Sequence, residues 1–131
     1  MSAVRLCLWP PSPIRLWGGG TSRAALRRAA TTLDGWVSEI QTLAELREIA
    51  PTLAKLRESS PRAQLPFGIC AAVKDAFAAE HFLELEALGV DYVVTVPWMF
   101  YGTDYEGSLE EKCEGIRRFG RETIAALAEL A

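Results

Sequence analysis

Residues that bind metals are scarce in this sequence of 131 residues, which has three cysteines and one histidine. Cys7, Cys70 and Cys113 lie far apart, and no CxxC pair is present. Because a structural zinc site needs about four ligands, one chain is not expected to form one. Cys70 falls in an apolar, strand-like stretch and Cys113 in a helical one. Both are therefore interpreted as small core residues rather than nucleophiles.

Long apolar runs and an excess of positive charge are also missing. No stretch approaches the roughly 18 apolar residues that span a bilayer, and the start lacks the apolar core and cleavage site of a secretion signal. The formal net charge of -3 argues against a general affinity for nucleic acid or anionic lipid. We therefore expect a cytoplasmic protein that binds neither nucleic acid nor membrane.

The composition that remains is that of a globular domain, with 50% hydrophobic and 24% charged residues. A chain of this length is typical of one domain around one core. Residues 1–13 contain three prolines near their end and are predicted to form an irregular lead-in. Residues 14–131 are predicted to form the folded domain.

Apolar patterns alternate between strand and helix along this domain. Strands are predicted over residues 14–17, 36–38, 67–73 and 90–96, with the glycines after residue 17 ending the first. Helices are predicted after a cap at Ser22 or Thr21, after a capping box of Thr42 and Glu45, over residues 76–88, and from Leu109 onward. Pro51 predicts a kink or restart near Ala50. Alternating strands and helices predict an α/β fold with a parallel sheet and right-handed crossovers.

The last helix has an apolar pattern that predicts one buried face. Its expected core residues are Leu109, Cys113, Ile116, Ile124, Leu127 and Leu130.

Ligands of parallel α/β folds collect beyond the carboxyl ends of the strands. There the first strand runs into a glycine-rich turn, whose residues are Gly18, Gly19, Gly20, Thr21 and Ser22. Glycines allow a ligand to approach the backbone, and the following helix presents free N–H groups and the positive end of its dipole. Arg23 adds a cation for a phosphate. The alternative is a plain turn in which glycines only satisfy geometry, since the pattern matches neither common phosphate-binding motif.

A second candidate is the aromatic segment after the last strand, residues 97–102. Trp98 and Tyr101 would contact a ring or an apolar substrate, or would instead cover the end of the core or pack against another subunit. Glu39 and Asp104 are the nearest carboxylates, although each is more typical of a solvated surface. His81 is predicted in mid-helix, away from this end, and is interpreted as structural or exposed. We assign no catalytic base.

Three stretches together resemble the luciferase-like monooxygenase superfamily. They are the strand and glycine turn over residues 14–22, the helix rich in alanine and arginine over residues 24–30, and Asp34-Gly35-Trp36. Residues 87–94 are similar to a late helix-to-strand step of the same family. The resemblance implies a (β/α)8 barrel oxidoreductase that uses flavin mononucleotide (FMN) or a deazaflavin. It also implies that residues 18–22 lie against the phosphate of that cofactor.

A complete barrel of this type has eight β/α units and typically about 250 residues, whereas this sequence has four units. It therefore corresponds to the C-terminal half of a TIM-type barrel. The chain is expected to be a truncated form, to lack its N-terminal half, or to pair as a homodimer, because a half barrel leaves two sheet edges open. The rival interpretation is a non-catalytic α/β module or an inactive remnant that completes another half barrel.

Overall fold

A computed structural model describes residues 13–130 of the chain. Nearly all of the predicted lead-in, including Cys7, lies outside the described residues. The strands are β1 (Trp17–Gly19), β2 (Gly35–Gln41), β3 (Gly68–Val73) and β4 (Tyr92–Val94). The helices are α1 (Arg23–Thr32), α2 (Leu43–Glu58), α3 (Ala79–Ala87), α4 (Leu109–Phe119) and α5 (Ala125–Leu130). A 3-10 helix covers Pro97–Tyr101, and a π-helical turn, Gly120–Ile124, joins α4 to α5.

The four strands form one sheet in the order β1-β2-β3-β4, and every neighbouring pair is parallel. Each strand is followed by a helix before the next strand begins. The predicted α/β class with a parallel sheet is therefore confirmed for residues 13–130. Sequential parallel order with helical crossovers is the arrangement found in partial β/α folds.

The strand boundaries differ from those predicted, most clearly at β1. The strand ends within the glycines but two residues later than predicted, because Gly18 pairs with Trp36 and Gly19 pairs with Val37. A Cβ at Gly18 would lie 2.6 Å from the side chain of Leu33, so β1 packs closely against the end of α1. β2 is longer than predicted and has one extra residue between Val37 and its next paired position, which marks a β-bulge. β4 is shorter than predicted.

Both predicted N-terminal caps are confirmed. The Ser22 hydroxyl accepts the N–H of Ala25 at the start of α1, and Thr42 and Glu45 form the reciprocal capping box of α2. The predicted restart near Ala50 is wrong, because α2 continues through Pro51 to its end at Glu58. The exposed proline costs one helix hydrogen bond, while the buried face of α2 packs against the sheet on both sides of it.

The core lies between the sheet and its helices. Trp36 on β2, Leu46 and Leu53 on α2, and Leu85 on α3 are its largest fully buried side chains. Ile69 and Ala71 of β3 join them, so alternate residues of the strands face the helices.

The opposite face of the sheet has no covering layer within the described residues. We call it the open face; it consists of Trp17, Val37, Ile40, Cys70, Ala72, Tyr92 and Val94, which the strand register places on one side. Trp17 occupies its amino-terminal level, because its ring fills the space that a Cβ at Gly35 or Gly68 would need. The ring meets Tyr92 edge-on, with 5.9 Å between centroids. The open face is therefore apolar across all four strands.

The predicted buried face of the last helix is largely wrong. Leu109, Ile116, Ile124 and Leu130 are exposed, Leu109 by 79%. The residues that pack inward are instead Gly115, Phe119 and Thr123, spaced four apart. Gly115 is required because a Cβ there would lie 2.6 Å from the Trp98 backbone. The helix thus packs on the domain through Gly115, Phe119 and Thr123 and leaves the predicted leucines and isoleucines in solvent.

Candidate functional site

The glycine turn lies at the carboxyl end of β1, as the sequence predicts. Gly20 has φ of 93°, a left-handed conformation that favours glycine. The indole N–H of Trp36, itself fully buried, donates to the carbonyl oxygen of Gly20 at 2.9 Å. The turn is therefore held in one conformation by a core side chain before any ligand arrives.

The N-terminus of α1 is accessible next to this turn. Thr21, Ser22 and Arg23 are exposed. Ser22 satisfies the N–H of Ala25, but the N–H groups of Arg23 and Ala24, the first two helical residues, have no partner within the helix. The first turn of α1 has no acidic residue. The helix start thus presents free N–H groups, hydroxyls and one cation, which together suit an anion.

The three glycines of the turn have different reasons to be glycine. Gly18 packs against the end of the Leu33 side chain beside α1, and Gly20 has a positive φ. Gly19 is exposed, and a Cβ there would meet Val37 O at an ordinary 3.5 Å. The plain-turn interpretation therefore accounts for Gly18 and Gly20, whereas local packing gives no reason for Gly19.

The segment after β3 makes hydrogen bonds that stabilise the fold. The Asp75 carboxylate accepts the N–H of Leu43 at 2.8 Å, an interaction at the first turn of α2. The N–H of Lys74 donates to Gln41 O, which extends the pairing of β2 and β3. These contacts fix the carboxyl end of the sheet between the glycine turn and the aromatic segment.

The aromatic segment packs against the last helix. Trp98 lies against Gly115, and the Arg118 guanidinium lies 4.4 Å from the ring centroid of Tyr101. Phe100 packs edge-on with Phe119, at 4.9 Å between centroids. The structure therefore places the segment as a cover on α4. β1 and β4 are opposite edges of the sheet, so the glycine turn and this segment are separated by three strand spacings, about 14 Å.

Neither of the two candidate carboxylates, Glu39 and Asp104, makes a hydrogen bond to the glycine turn. Glu39 is exposed within the bulge of β2. Asp104 is exposed and accepts the N–H groups of Glu106 and Gly107, which stabilises the loop before α4. Neither arrangement identifies an acid or base.

His81 was expected in mid-helix, and that position is wrong. α3 begins at Ala79, so His81 lies in its first turn, on the carboxyl side of the sheet. Its Nδ1 accepts the N–H groups of Phe77 at 3.1 Å and Ala78 at 3.4 Å. The structural interpretation of this histidine is confirmed, with a more specific role at the start of the helix.

Sequence reasoning missed a buried arginine at the other end of the sheet. Arg57 is 6% exposed and donates to four backbone carbonyls, those of Ala30, Leu33, Leu65 and Pro66. Its guanidinium also lies 5.0 Å from the Phe67 ring centroid. Burial lowers the pKa of Arg57. Its position at the end of the apolar stripe of α2 was the available signal.

Two aspartates complete this amino end of the sheet. Asp34 accepts the N–H of Leu16 and pairs with Arg62. Asp91 accepts the N–H of Ile69 at 2.8 Å. Each carboxylate stands just before a strand and ties it to its neighbour. The Asp34-Gly35-Trp36 stretch thus has a structural explanation in this chain.

The described cysteines are partly buried, and burial raises the pKa of the Cys70 thiol. A raised pKa disfavours the thiolate. The prediction that both cysteines are core residues is wrong, because neither belongs to the buried cluster and Cys70 lies on the open face. Within residues 13–130, no group of three His, Cys, Asp or Glu side chains is placed to hold a metal ion. Over the same residues, no helix has the length and apolar character needed to cross a membrane.

Comparison with known proteins gives a partial match to curated relatives. The chain is 34% identical over 119 residues to uncharacterized proteins of Mycobacterium tuberculosis and Mycobacterium bovis. The match covers 88% of this chain but 40% of each relative. The chain thus spans about two fifths of the length of these relatives. No protein-family model matches it.

Proposed function

We propose that this chain contributes the phosphate-binding part of a flavin- or deazaflavin-dependent oxidoreductase of the luciferase-like type. One observation carries the proposal: an accessible helix start follows a glycine turn that Trp36 holds in place. The resemblance of residues 14–36 to that superfamily adds the identity of the cofactor. The catalysed reaction would be hydride transfer to, or oxygenation of, a small organic substrate.

The chemistry of the turn fits a phosphate monoester or diester. The N–H groups of Arg23 and Ala24 would donate to phosphate oxygens, and the hydroxyls of Thr21 and Ser22 would add donors. The Arg23 guanidinium would supply a charge-assisted contact. Gly19 leaves the backbone open where a side chain would limit access. FMN and deazaflavin both carry such a phosphate, so this site supports either one.

A bound cofactor of this kind supplies the redox chemistry, and the protein orients it. The chain would fix its phosphate at the carboxyl end of β1. Trp98 and Tyr101 remain candidates for contact with a ring or substrate, but their packing on α4 supports a covering role more directly. We propose no catalytic base among the described residues.

Charge at the helix cap provides a matched test. Ser22→Asp keeps a good N-cap residue but adds a negative charge beside the phosphate, whereas Ser22→Asn keeps the cap without charge. Fluorescence titration with FMN and with a deazaflavin should show at least tenfold weaker binding for Ser22→Asp than for Ser22→Asn. Equal affinities for the two variants, with both folded by circular dichroism, would contradict the placement.

A non-catalytic pairing module is the second candidate, and the open face favours it. An apolar sheet face with two free edges is suited to completion by other strands. If the wild-type chain binds neither cofactor at micromolar concentration, it does not act alone as an oxidoreductase, and the pairing role becomes the better proposal.

A further inference from the structure

The open face is too apolar and too continuous to be an ordinary protein surface. Four of its large residues are exposed to solvent by 38% to 67%: Val37, Ile40, Tyr92 and Val94. They lie on β2 and β4, on either side of β3, with no covering layer within residues 13–130. Contiguous apolar patches of this kind mark interaction sites. The helices of this chain cover the other face of the sheet. The open face can therefore be buried by the strands of a further sheet that closes around it.

The two edges of the sheet are complementary to each other. Within the part of the chain that the structure describes, β1 and β4 each have a neighbour on one side only. All strands are parallel, so β4 of one sheet can pair in parallel with β1 of another. A two-fold axis along the strands makes this contact twice, since β4 of the second copy then meets β1 of the first. Four strands from each copy give eight, the number of strands in the common closed parallel barrel.

We propose that a second copy of this chain covers the open face, and that the two copies form a closed eight-stranded barrel about a two-fold axis. Closure pairs both free edges and buries the open faces in one interior. In the mycobacterial relatives, most of the chain lies outside the match and is available to fill the same place. The two edges of this sheet are complementary to each other, so a second copy of the same sheet fits both of them.

The last helix supplies an independent observation. α4 and α5 follow β4 at one edge of the sheet, and Ile116 and Ile124 are about half exposed there. In a closed barrel, each outer helix packs between two neighbours. The α1 helix of the second copy would lie next to this surface and cover it. Apolar exposure thus continues from the open face to the helix layer on the side where the sheet stops.

The assembly would also change the site. Within one copy the glycine turn and the aromatic segment lie at opposite edges. In the two-fold barrel, the loop after β4 of one copy lies beside the turn after β1 of the other. Trp98 and Tyr101 would then adjoin the phosphate site of the second copy. This last point rests on the proposed function, whereas the interface itself does not.

Light scattering with size-exclusion chromatography tests the interface without cofactor. The full chain should elute as a single species at twice its mass of 14.4 kDa. Val94→Glu places a charge in the interior and should convert the dimer to a monomer. Leu65→Glu is the matched control, since Leu65 is 50% exposed, close to the 54% of Val94, but lies in the loop before β3. A monomeric wild-type chain or a polydisperse aggregate would overturn the proposal.

Hydrogen exchange on the wild-type chain keeps the test independent of whether Val94→Glu folds. Edge pairing predicts protection of amides in both β1 and β4 that rises with protein concentration. A dimer whose β1 and β4 amides exchange equally fast at all concentrations would overturn barrel closure. A dimer that binds no cofactor would refute the proposed function alone, and a monomer that binds FMN would refute the interface alone.

Discussion

The amino and carboxyl ends of the sheet differ in how their polar groups are hydrogen-bonded. At the amino end, hydrogen bonds to backbone groups of neighbouring segments are made by Asp34, Arg57 and Asp91. At the carboxyl end, the glycine turn leaves N–H groups, hydroxyls and Arg23 accessible. The same strands thus have hydrogen-bonded charged side chains at their amino ends and accessible polar groups at their carboxyl ends.

This difference separates residues that hold the fold from residues available to a ligand. Charged side chains at the amino end hydrogen-bond to fixed partners, so their removal should lower stability. The exposed groups at the carboxyl end have few internal partners, so their removal should change binding more than stability. Parallel β/α proteins generally divide their two ends in this way.

The largest expected effect is at Arg57. Arg57→Met keeps the volume but leaves four carbonyls without their donor, and each buried carbonyl costs about 1–3 kcal/mol. We expect a loss of about 3 kcal/mol or more in the free energy of unfolding, measured by urea denaturation. Arg47→Met on the same helix is the control, since Arg47 makes an exposed ion pair with Glu84 and should change stability little. Equal losses in the free energy of unfolding for Arg57→Met and Arg47→Met would contradict a special role for the buried arginine.

Asp34 should show the next largest effect. Asp34→Ala frees the N–H of Leu16 and removes the partner of Arg62, which should cost about 1–3 kcal/mol. Thermal unfolding should show a lower Tm, while FMN affinity stays within a factor of about two. Asp104→Ala, in an exposed loop at the other end, should leave Tm nearly unchanged. A large loss of affinity in folded Asp34→Ala would mean that the two ends are coupled.

Two glycines of the turn should respond differently. Gly20→Ala forces an alanine into positive φ, which costs about 1–2 kcal/mol. Gly19→Ala meets only ordinary contacts and should keep its stability. If the turn binds phosphate, Gly19→Ala should still weaken FMN binding. Unchanged affinity in Gly19→Ala would mean that Gly19 does not open the turn to phosphate.

The smallest effect is a pH dependence at the start of α2. Hydrogen bonds from Thr42 lower the pKa of Glu45 below its ordinary 4.5. A lowered folded pKa means that this stabilisation is present above pH 4.5 and is lost as the pH falls through the folded value. Glu45→Gln should therefore be less stable than wild type at pH 7, and the difference should shrink as the pH falls through the folded pKa of Glu45.

Local signals in the sequence were enough for the class of fold and for two helix starts. The caps at Ser22 and Thr42 depend on neighbours three residues away, so the chain predicts them directly. The β1 boundary depends instead on Leu33, which packs where a Cβ at Gly18 would be. That contact joins two elements, and no local pattern contains it.

The same reason explains the other misses. In the sequence, Arg57 is typical of the polar end of an amphipathic helix. Only the fold brings its four carbonyl partners together. The exposed face of the last helix was predicted to be buried because its apolar spacing is helical, but the position of Gly115 against Trp98 decides which side turns inward. For the candidate site, the turn was predictable, whereas its support by Trp36 was not.

The division between the two ends can be tested directly by NMR of the uniformly labelled chain titrated with FMN. The account predicts progressive shifts of the backbone amides of residues 19–24, with little change near Asp34, Arg57 and Asp91. Shifts confined to the amino end, or none at saturating FMN, would contradict it.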